Sequence, residues 1–140
     1  MLISKHIKYH KGFKYQLVED AKFQIKCKVP HNIQTDYINL NTNGELTIKD
    51  GYAWDGPSGP TIDTKNFMRG SLVHDALYQL MRQELLPIHE KENADNELKR
   101  LCLADGMTKL RAWWVIKGLN MFGKASTLPE NKRDTLIAPH

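Results

Sequence analysis

The chain has 140 residues, with 20 Lys and Arg against 16 Asp and Glu, and a formal net charge of +4. This length favours one domain with a core of its own, and a content of 41% hydrophobic and 26% charged residues is ordinary for a globular protein. No apolar run approaches about 18 residues, so we expect no transmembrane segment. The first residues lack the apolar core of a signal peptide, which predicts a cytoplasmic protein or one released by lysis.

The basic residues are scattered rather than clustered, which is typical of a solvated surface and argues against a nucleic-acid partner. The two cysteines, Cys27 and Cys102, lie in different halves of the chain and match no metal-ligand spacing. We expect both to be buried free thiols. A disulfide is the alternative if the fold brings the two halves together.

Residues 1–54 have the pattern of β-strands. Apolar and polar residues alternate from Phe23 to Val29, which predicts a half-buried strand ended by Pro30. Similar runs include residues 13–17, 36–40 and 45–49, and the last two flank a hairpin turn in which Asn43-Gly44 would supply the positive φ angles. We expect an antiparallel meander of four or five short strands with one wet face and one packed face.

Residues 65–123 have the pattern of three helices. The first runs to about residue 83, the second spans about 90–104 and ends at Asp105-Gly106, and the third spans about 108–122 and ends at Gly123. One stripe of the first helix contains His74 and Tyr78, whereas four polar residues are expected towards its wetter side: Arg69, Asp75, Gln79 and Arg82.

The predicted fold class is therefore α+β, with the β meander followed by a three-helix half and an irregular tail. We expect a single domain over residues 1–125, made of a β part (1–54), a motif loop (55–64) and a helical part (65–123). Residues 126–140 form a C-terminal arm with two prolines and little periodicity.

The groups most able to do chemistry lie in residues 51–78. A loop rich in glycine and proline, which includes Asp55, Gly56 and Ser58, precedes a helix with His74 and Asp75. Neighbouring helical residues point about 100° apart, so His74 and Asp75 can flank one site but cannot share one task. His74 would be a base and Asp75 a ligand of a hard cation such as Ca²⁺, together with loop oxygens of Asp55 and Gly56. The alternative for Asp75 is a solvated acid or one paired to Arg69 or Arg82, and the alternative for Asp55 is a turn former before Gly56.

A base histidine needs a partner that holds its tautomer, and Asp95 is the best candidate. Two antiparallel helices would bring Asp95 opposite His74. The alternative role of Asp95 is stabilisation of the N-terminal end of its helix, and the alternative role of His74 is that of a satisfied core residue. Ser58 as a nucleophile is disfavoured because its surroundings lack the strand-to-helix nucleophile elbow.

The chain resembles a domain-of-unknown-function family, number 1353, of tailed phages, prophages and bacteria. The residues that carry this resemblance are Trp54-Asp55-Gly56-x-Ser58-x-Pro60, His74-Asp75-x-Leu77-Tyr78 and Ala94-Asp95. The resemblance covers residues 22–123 and implies a phage or prophage origin, with the host cytoplasm or the virion as its location. It implies no particular activity.

A local resemblance to the phospholipase A2 superfamily, especially its parvovirus members, rests on the 56–60 loop, His74-Asp75-x-x-Tyr78 and Asp95. It implies that His74 deprotonates water, Asp95 orients His74, Tyr78 braces the pair, and Asp75 binds Ca²⁺ with the loop. The chain departs from that superfamily in having an acid and two prolines in the loop, and the β half has no counterpart there.

Two functions remain open at this stage. The first is a small calcium-dependent ester hydrolase, similar to phospholipase A2 and acting on phospholipid or another ester. The second is a non-catalytic virion component or host-interaction protein, in contact with other phage proteins, in which the same residues form a structural polar network. A metal-dependent phosphohydrolase with a helical His-Asp doublet is weaker, because it needs an upstream histidine ligand and His31 lies in a turn of the β half. His89 is a possible extra ligand, but a loop residue is the favoured interpretation.

Overall fold

The computed structural model describes residues 3–7, 9–10, 15–54 and 65–126. These residues form two compact units, a β unit that ends at Trp54 and a helical unit that begins at Lys65. The α+β class is confirmed. The predicted single domain over residues 1–125 stays a prediction, and the motif loop 55–64 and residues 127–140 of the arm lie outside the described residues.

The β unit contains seven short strands among its described residues, more than the four or five predicted. All pairings are antiparallel, as expected, in a three-stranded sheet of order β1-β2-β7 and a four-stranded sheet of order β3-β6-β5-β4. The strands are β1 (Tyr9–His10), β2 (Tyr15–Leu17), β3 (Ala21–Gln24), β4 (Ile33–Gln34), β5 (Ile38–Leu40), β6 (Glu45–Ile48) and β7 (Ala53–Trp54).

The strand predicted from Phe23 to Val29 is shorter than its sequence pattern. Buried and exposed residues alternate through to Val29, but the β3 ladder ends at Gln24. The reason is the partner strand, because β6 begins only at Glu45, opposite Gln24. The amide of Ile25 makes one further bond to the carbonyl of Gly44 at 2.8 Å, after which the partner chain turns away.

The hairpin between β5 and β6 also differs from its prediction. Gly44 has a φ of +79°, whereas Asn43 does not have a positive φ. The Gly44 amide donates to the carbonyl of Asn41 at 3.0 Å, and the Asn41 side-chain oxygen accepts the amides of Asn43 and Glu45 at 3.0 and 2.9 Å. This is a turn followed by one glycine in the left-handed region, and Asn41 holds it closed.

The helical unit contains α1 (Lys65–Arg82), a short 3₁₀ helix (Ile88–Glu90), α2 (Lys91–Ala104) and α3 (Lys109–Ser126). The three predicted helices are therefore confirmed, but α3 does not end at Gly123. One glycine inside a helix costs only about 1 kcal/mol, which flanking helical residues can offset. Among the described helices, we find none that is both long and apolar enough to cross a membrane.

Helix α2 ends where Asp105-Gly106 predicted. Gly106 has a φ of +99°, its amide donates to the carbonyl of Leu103 at 3.1 Å, and the Met107 amide donates to that of Cys102 at 2.9 Å. These two bonds define a Schellman motif, which satisfies the last carbonyls of the helix. Met107 then packs in a buried cluster that joins all three helices, with Phe67, Leu98, Cys102 and Ala112.

Helix α1 is buried more completely than its stripe predicted. Of its 18 residues, 14 are buried, including Gln79 and Arg82, which were expected towards the wetter side. That expectation was wrong for these two because the apolar surface of the helix is too broad to leave a polar face. Arg69 and Asp75 are half-buried, so α1 places His74 in an interior rather than at a surface. Both cysteines are buried free thiols, as predicted.

Candidate functional site

Helices α1 and α2 are antiparallel and approach closely at Gly70. A Cβ atom on Gly70 would lie 2.8 Å from Cδ1 of Leu98 and 2.9 Å from Sγ of Cys102, so the lack of a side chain permits this approach. One turn further along α1 is His74, and about one turn back along α2 from Leu98 is Asp95. The glycine contact therefore brings the two functional side chains within bonding distance.

The Asp95 carboxylate is buried and accepts hydrogen bonds from three side chains. His74 Nε2 lies 2.8 Å from Oδ1, the Tyr78 hydroxyl donates to the same oxygen at 2.5 Å, and Lys91 Nζ donates to Oδ2 at 2.7 Å. The imidazole and the Tyr78 ring also touch, with centroids 3.9 Å apart. The structure therefore brings together three predicted site residues, His74, Tyr78 and Asp95, and adds Lys91.

The charge state of Asp95 decides the tautomer of His74. Burial by itself raises the pKa of the Asp95 carboxyl, but the hydrogen bonds from His74, Lys91 and Tyr78 outweigh it and hold the pKa below its ordinary value. An ionised carboxylate can only accept hydrogen bonds. Nε2 of His74 must therefore carry the proton that it shares with Asp95, and when the ring is neutral its remaining lone pair is on Nδ1.

Tyr78 serves this arrangement as a neutral donor. Burial raises the pKa of its hydroxyl well above the ordinary value, and the adjacent Asp95 raises it further. Tyr78 consequently keeps its proton and directs it at Oδ1 of Asp95. This role is a bracing one, because the hydroxyl is committed to the carboxylate.

Nδ1 is the ring nitrogen of His74 that does not face Asp95. The ring is buried, with 6% of the residue exposed. Among the described residues we find no hydrogen-bond partner for Nδ1. A nitrogen lone pair with its tautomer fixed from the other side is the arrangement that a general base requires. The site can thus remove a proton from a water molecule that reaches Nδ1.

The predicted calcium site is described only at Asp75. Asp75 is half-buried on α1 beside His74, whereas Asp55 and Gly56, its predicted co-ligands, lie outside the described residues. Within the described part of the chain, no group of three or more His, Cys, Asp or Glu side chains gathers as a metal site would need. Calcium binding therefore stays a prediction that depends on the 55–56 segment.

The remaining candidates divide into three cases. Ser58 lies outside the described residues. Trp54 is buried in the β unit with its ring centroid 5.6 Å from that of Tyr15, which fits a core residue. His31 lies in the β unit and is exposed, while the His89 side chain is 78% exposed beside Glu90. Neither histidine belongs to a described metal cluster.

Lys91 is the site residue that sequence reasoning missed. It is the first residue of α2, and it pairs with Asp95 across one helical turn. The spacing of four residues between a cation and a carboxylate on one helix was the available signal. Such pairs are usually solvated, so the spacing alone does not indicate a site residue, whereas only 18% of the Lys91 side chain is exposed here.

We find no match for the chain among protein-family models, curated proteins or solved structures.

Proposed function

We propose that the helical unit is the catalytic part of a small ester hydrolase, similar in its chemistry to phospholipase A2, with His74 as general base. The observation that supports this most directly is the geometry of the imidazole. Nε2 is held 2.8 Å from Asp95, and Nδ1 has no partner among the described residues. Asp95 and Tyr78 are positioning residues in this proposal, because they act through His74.

The proposed reaction is a hydrolysis with balanced proton transfers. Nδ1 of His74 takes a proton from water as the water oxygen attacks the ester carbonyl, and the imidazolium then returns that proton to the departing alkoxide. The products are a carboxylic acid and an alcohol. Asp95 keeps the ring in one tautomer throughout. A bound Ca²⁺ at Asp75, Asp55 and Gly56 would supply stabilisation of the oxyanion, but we assign no step to it.

The test is fatty-acid release from mixed phospholipid vesicles, with Ca²⁺ and with a chelator. His74→Gln should lower the rate by ~10²–10⁴-fold, which is the usual contribution of a general base. His89→Gln is the matched control, because His89 lies in the same unit but its side chain is 78% exposed, and it should keep full activity. Equal release by wild type and His74→Gln would remove the hydrolase proposal.

A second function is favoured by a specific feature of the site, namely that Asp95 already has three donors and His74 is almost enclosed. In that case the network fixes α1 against α2 in a non-catalytic virion component or host-interaction protein. His74→Gln would then cost about 1–3 kcal/mol of unfolding free energy, and no ester substrate would be hydrolysed. Both functions place the protein in the host cytoplasm or the virion, on the resemblance to phage family 1353 alone.

A further inference from the structure

Helix α3 presents an apolar stripe to solvent instead of to the core. Its inner face packs through Ala112 and Val115 against the cluster that joins the three helices. Leu110, Trp113 and Trp114 are spaced i, i+3 and i+4, the pattern of one helix face. They are 68%, 50% and 61% exposed, the three most exposed of the large hydrophobic residues in the described helical unit.

The two tryptophans and a lysine form one continuous surface. The indole rings of Trp113 and Trp114 meet edge to face with centroids 5.3 Å apart. Lys117, one turn on, places Nζ 4.7 Å from the Trp113 centroid and 5.8 Å from the Trp114 centroid. Exposed aromatic groups that touch one another in this way are unusual on a solvated surface and mark an interaction site.

The charge of α3 indicates what this surface binds. The helix sequence contains four basic residues and no Asp or Glu, so it is cationic along its whole length. A second copy docked symmetrically would place one cationic surface against another, since a two-fold interface uses the same surface of both copies. An anionic surface is the complementary occupant.

We infer that the stripe Leu110-Trp113-Trp114-Lys117 docks on the surface of a bilayer that contains anionic phospholipid. Tryptophan favours the boundary between acyl chains and headgroups because its ring is apolar and its N–H is polar. The Lys117 ammonium lies over the two indole rings, so a cation able to bind lipid phosphates belongs to the same surface as the tryptophans. Exposed tryptophan and lysine side by side on one helix face combine a ring that suits the interface with a cation that anionic lipid attracts.

This binding goes beyond the proposed hydrolysis and does not require it, because the stripe contains none of the site residues. If the helical unit is also a hydrolase, the stripe would make aggregated phospholipid rather than soluble ester its substrate. That extension alone rests on the proposed function. Docking itself is measured without turnover, with a chelator and in the His74→Gln background.

The experiment is co-sedimentation of the full chain with vesicles of phosphatidylcholine alone and of phosphatidylcholine mixed with phosphatidylglycerol. We expect binding to the mixed vesicles that weakens with added salt, and a blue shift of tryptophan fluorescence. Trp54 is buried in the β unit, so the shift would report Trp113 and Trp114. The double change Trp113→Ser and Trp114→Ser should lower the partition coefficient by ~10-fold or more, as expected for loss of buried apolar area.

Charge is tested with a second pair of variants. Lys117→Gln should weaken binding about fivefold, which corresponds to ~1 kcal/mol for each basic residue at an anionic surface. Lys99→Gln on α2 is the matched control, since Lys99 is also exposed, and Leu85→Ser is the apolar control at 45% exposure. Neither control should change binding, and circular dichroism should show that all variants are folded.

Three results would overturn the inference. One is equal binding by wild type and the double tryptophan variant, and another is no binding to mixed vesicles at low salt. The third is a dimer in sedimentation velocity that the tryptophan changes abolish, without vesicle binding, because this would assign the stripe to a second copy. Failure of hydrolysis with docking intact removes only the proposed function. Hydrolysis of a soluble ester without docking removes only this inference.

Discussion

Asp95→Asn removes the charge at the centre of the site and keeps the size of the side chain. In the native protein the carboxylate accepts from His74, Tyr78 and Lys91 at 2.8, 2.5 and 2.7 Å. A hydrogen bond to a buried charged group is worth about 1.5–3 kcal/mol. The asparagine amide keeps one acceptor oxygen, but an NH₂ group replaces the other oxygen and cannot accept a hydrogen bond. The hydrogen bonds to that replaced oxygen are therefore lost.

The size of the loss depends on which donor is left without a partner. Lys91 has 18% of its side chain exposed, so water can replace part of its lost hydrogen bond. The Tyr78 hydroxyl and the His74 ring are buried, so water does not replace theirs. We therefore expect Asp95→Asn to lower the unfolding free energy by about 2–4 kcal/mol at pH 7. Glu97→Gln is the matched control. Glu97 is also buried on α2, but its partner Arg100 is half-exposed, so its loss should be near 1 kcal/mol.

The loss of stability in Asp95→Asn should depend on pH. Although burial alone raises it, hydrogen bonds from His74, Lys91 and Tyr78 hold the pKa of Asp95 in the folded protein below its ordinary value of 3.8. The stabilisation is therefore fully present above pH 3.8 and is lost as the pH falls from there towards the folded-state pKa. Protonated Asp95 resembles Asn, so the difference between wild type and variant should narrow below about pH 4.

Urea denaturation of both proteins, followed by circular dichroism from pH 7 to pH 3, measures this difference. A loss smaller than about 0.5 kcal/mol at pH 7 would show that the three bonds do not stabilise the fold, since one such bond exceeds that value. A loss of the same size at pH 7 and pH 3 would show that folding does not lower the pKa of Asp95. A loss that grows towards pH 3 would show that Asp95 is protonated in the folded protein, and the tautomer assigned to His74 would then be wrong as well.

Two further predictions concern the helix backbone. Gly70→Ala should lower the unfolding free energy by about 1 kcal/mol, because crowding against Leu98 and Cys102 costs about 1–3 kcal/mol and the better helix propensity of alanine returns about 1 kcal/mol. Thermal unfolding of the single and double variants should show that the effects of Gly70→Ala and Cys102→Ala on stability are not additive, and additive effects would contradict the close contact. Glu84 follows α1 with a φ of +61°, a conformation that glycine adopts without strain, so Glu84→Gly should raise the unfolding free energy of the protein by up to about 1 kcal/mol. A urea midpoint that is unchanged or lower would show that the side chain of Glu84 stabilises the fold by more than its backbone strain destabilises it.

Secondary-structure elements were predictable from the sequence where one hydrophobic periodicity continues along the whole element. They were not predictable where a neighbouring strand determines the residue at which the element ends. Helices α1 and α2 followed from apolar spacing and from Asp105-Gly106. The end of β3 did not, because it depends on where β6 begins rather than on the alternation that continues to Val29. The end of α1 at Arg82 agrees with the end predicted near residue 83, although Glu84, not a glycine, adopts the left-handed conformation there.

The site was predictable to the extent that helix geometry dictates it. An antiparallel pair with a short connection has few registers that bury His74, and these bring Asp95 near it. The third donor on Asp95 could not be inferred in the same way, because the burial of Lys91 depends on tertiary packing. The calcium ligands were predicted from their oxygen chemistry and from the resemblance, and only Asp75 among them lies in the described residues.

The ion pair with Lys91 limits what Asp95 can do for His74. A carboxylate that faces only an imidazole both orients the ring and stabilises its charged form. Here Lys91 already neutralises that charge from Oδ2 at 2.7 Å, which weakens the field at the ring. The remaining contribution of Asp95 is to orient the imidazole, because its Oδ1 accepts hydrogen bonds from both His74 and Tyr78. In a hydrolase built this way, Asp95 contributes position and tautomer, and proton transfer depends on access of water to Nδ1 of His74.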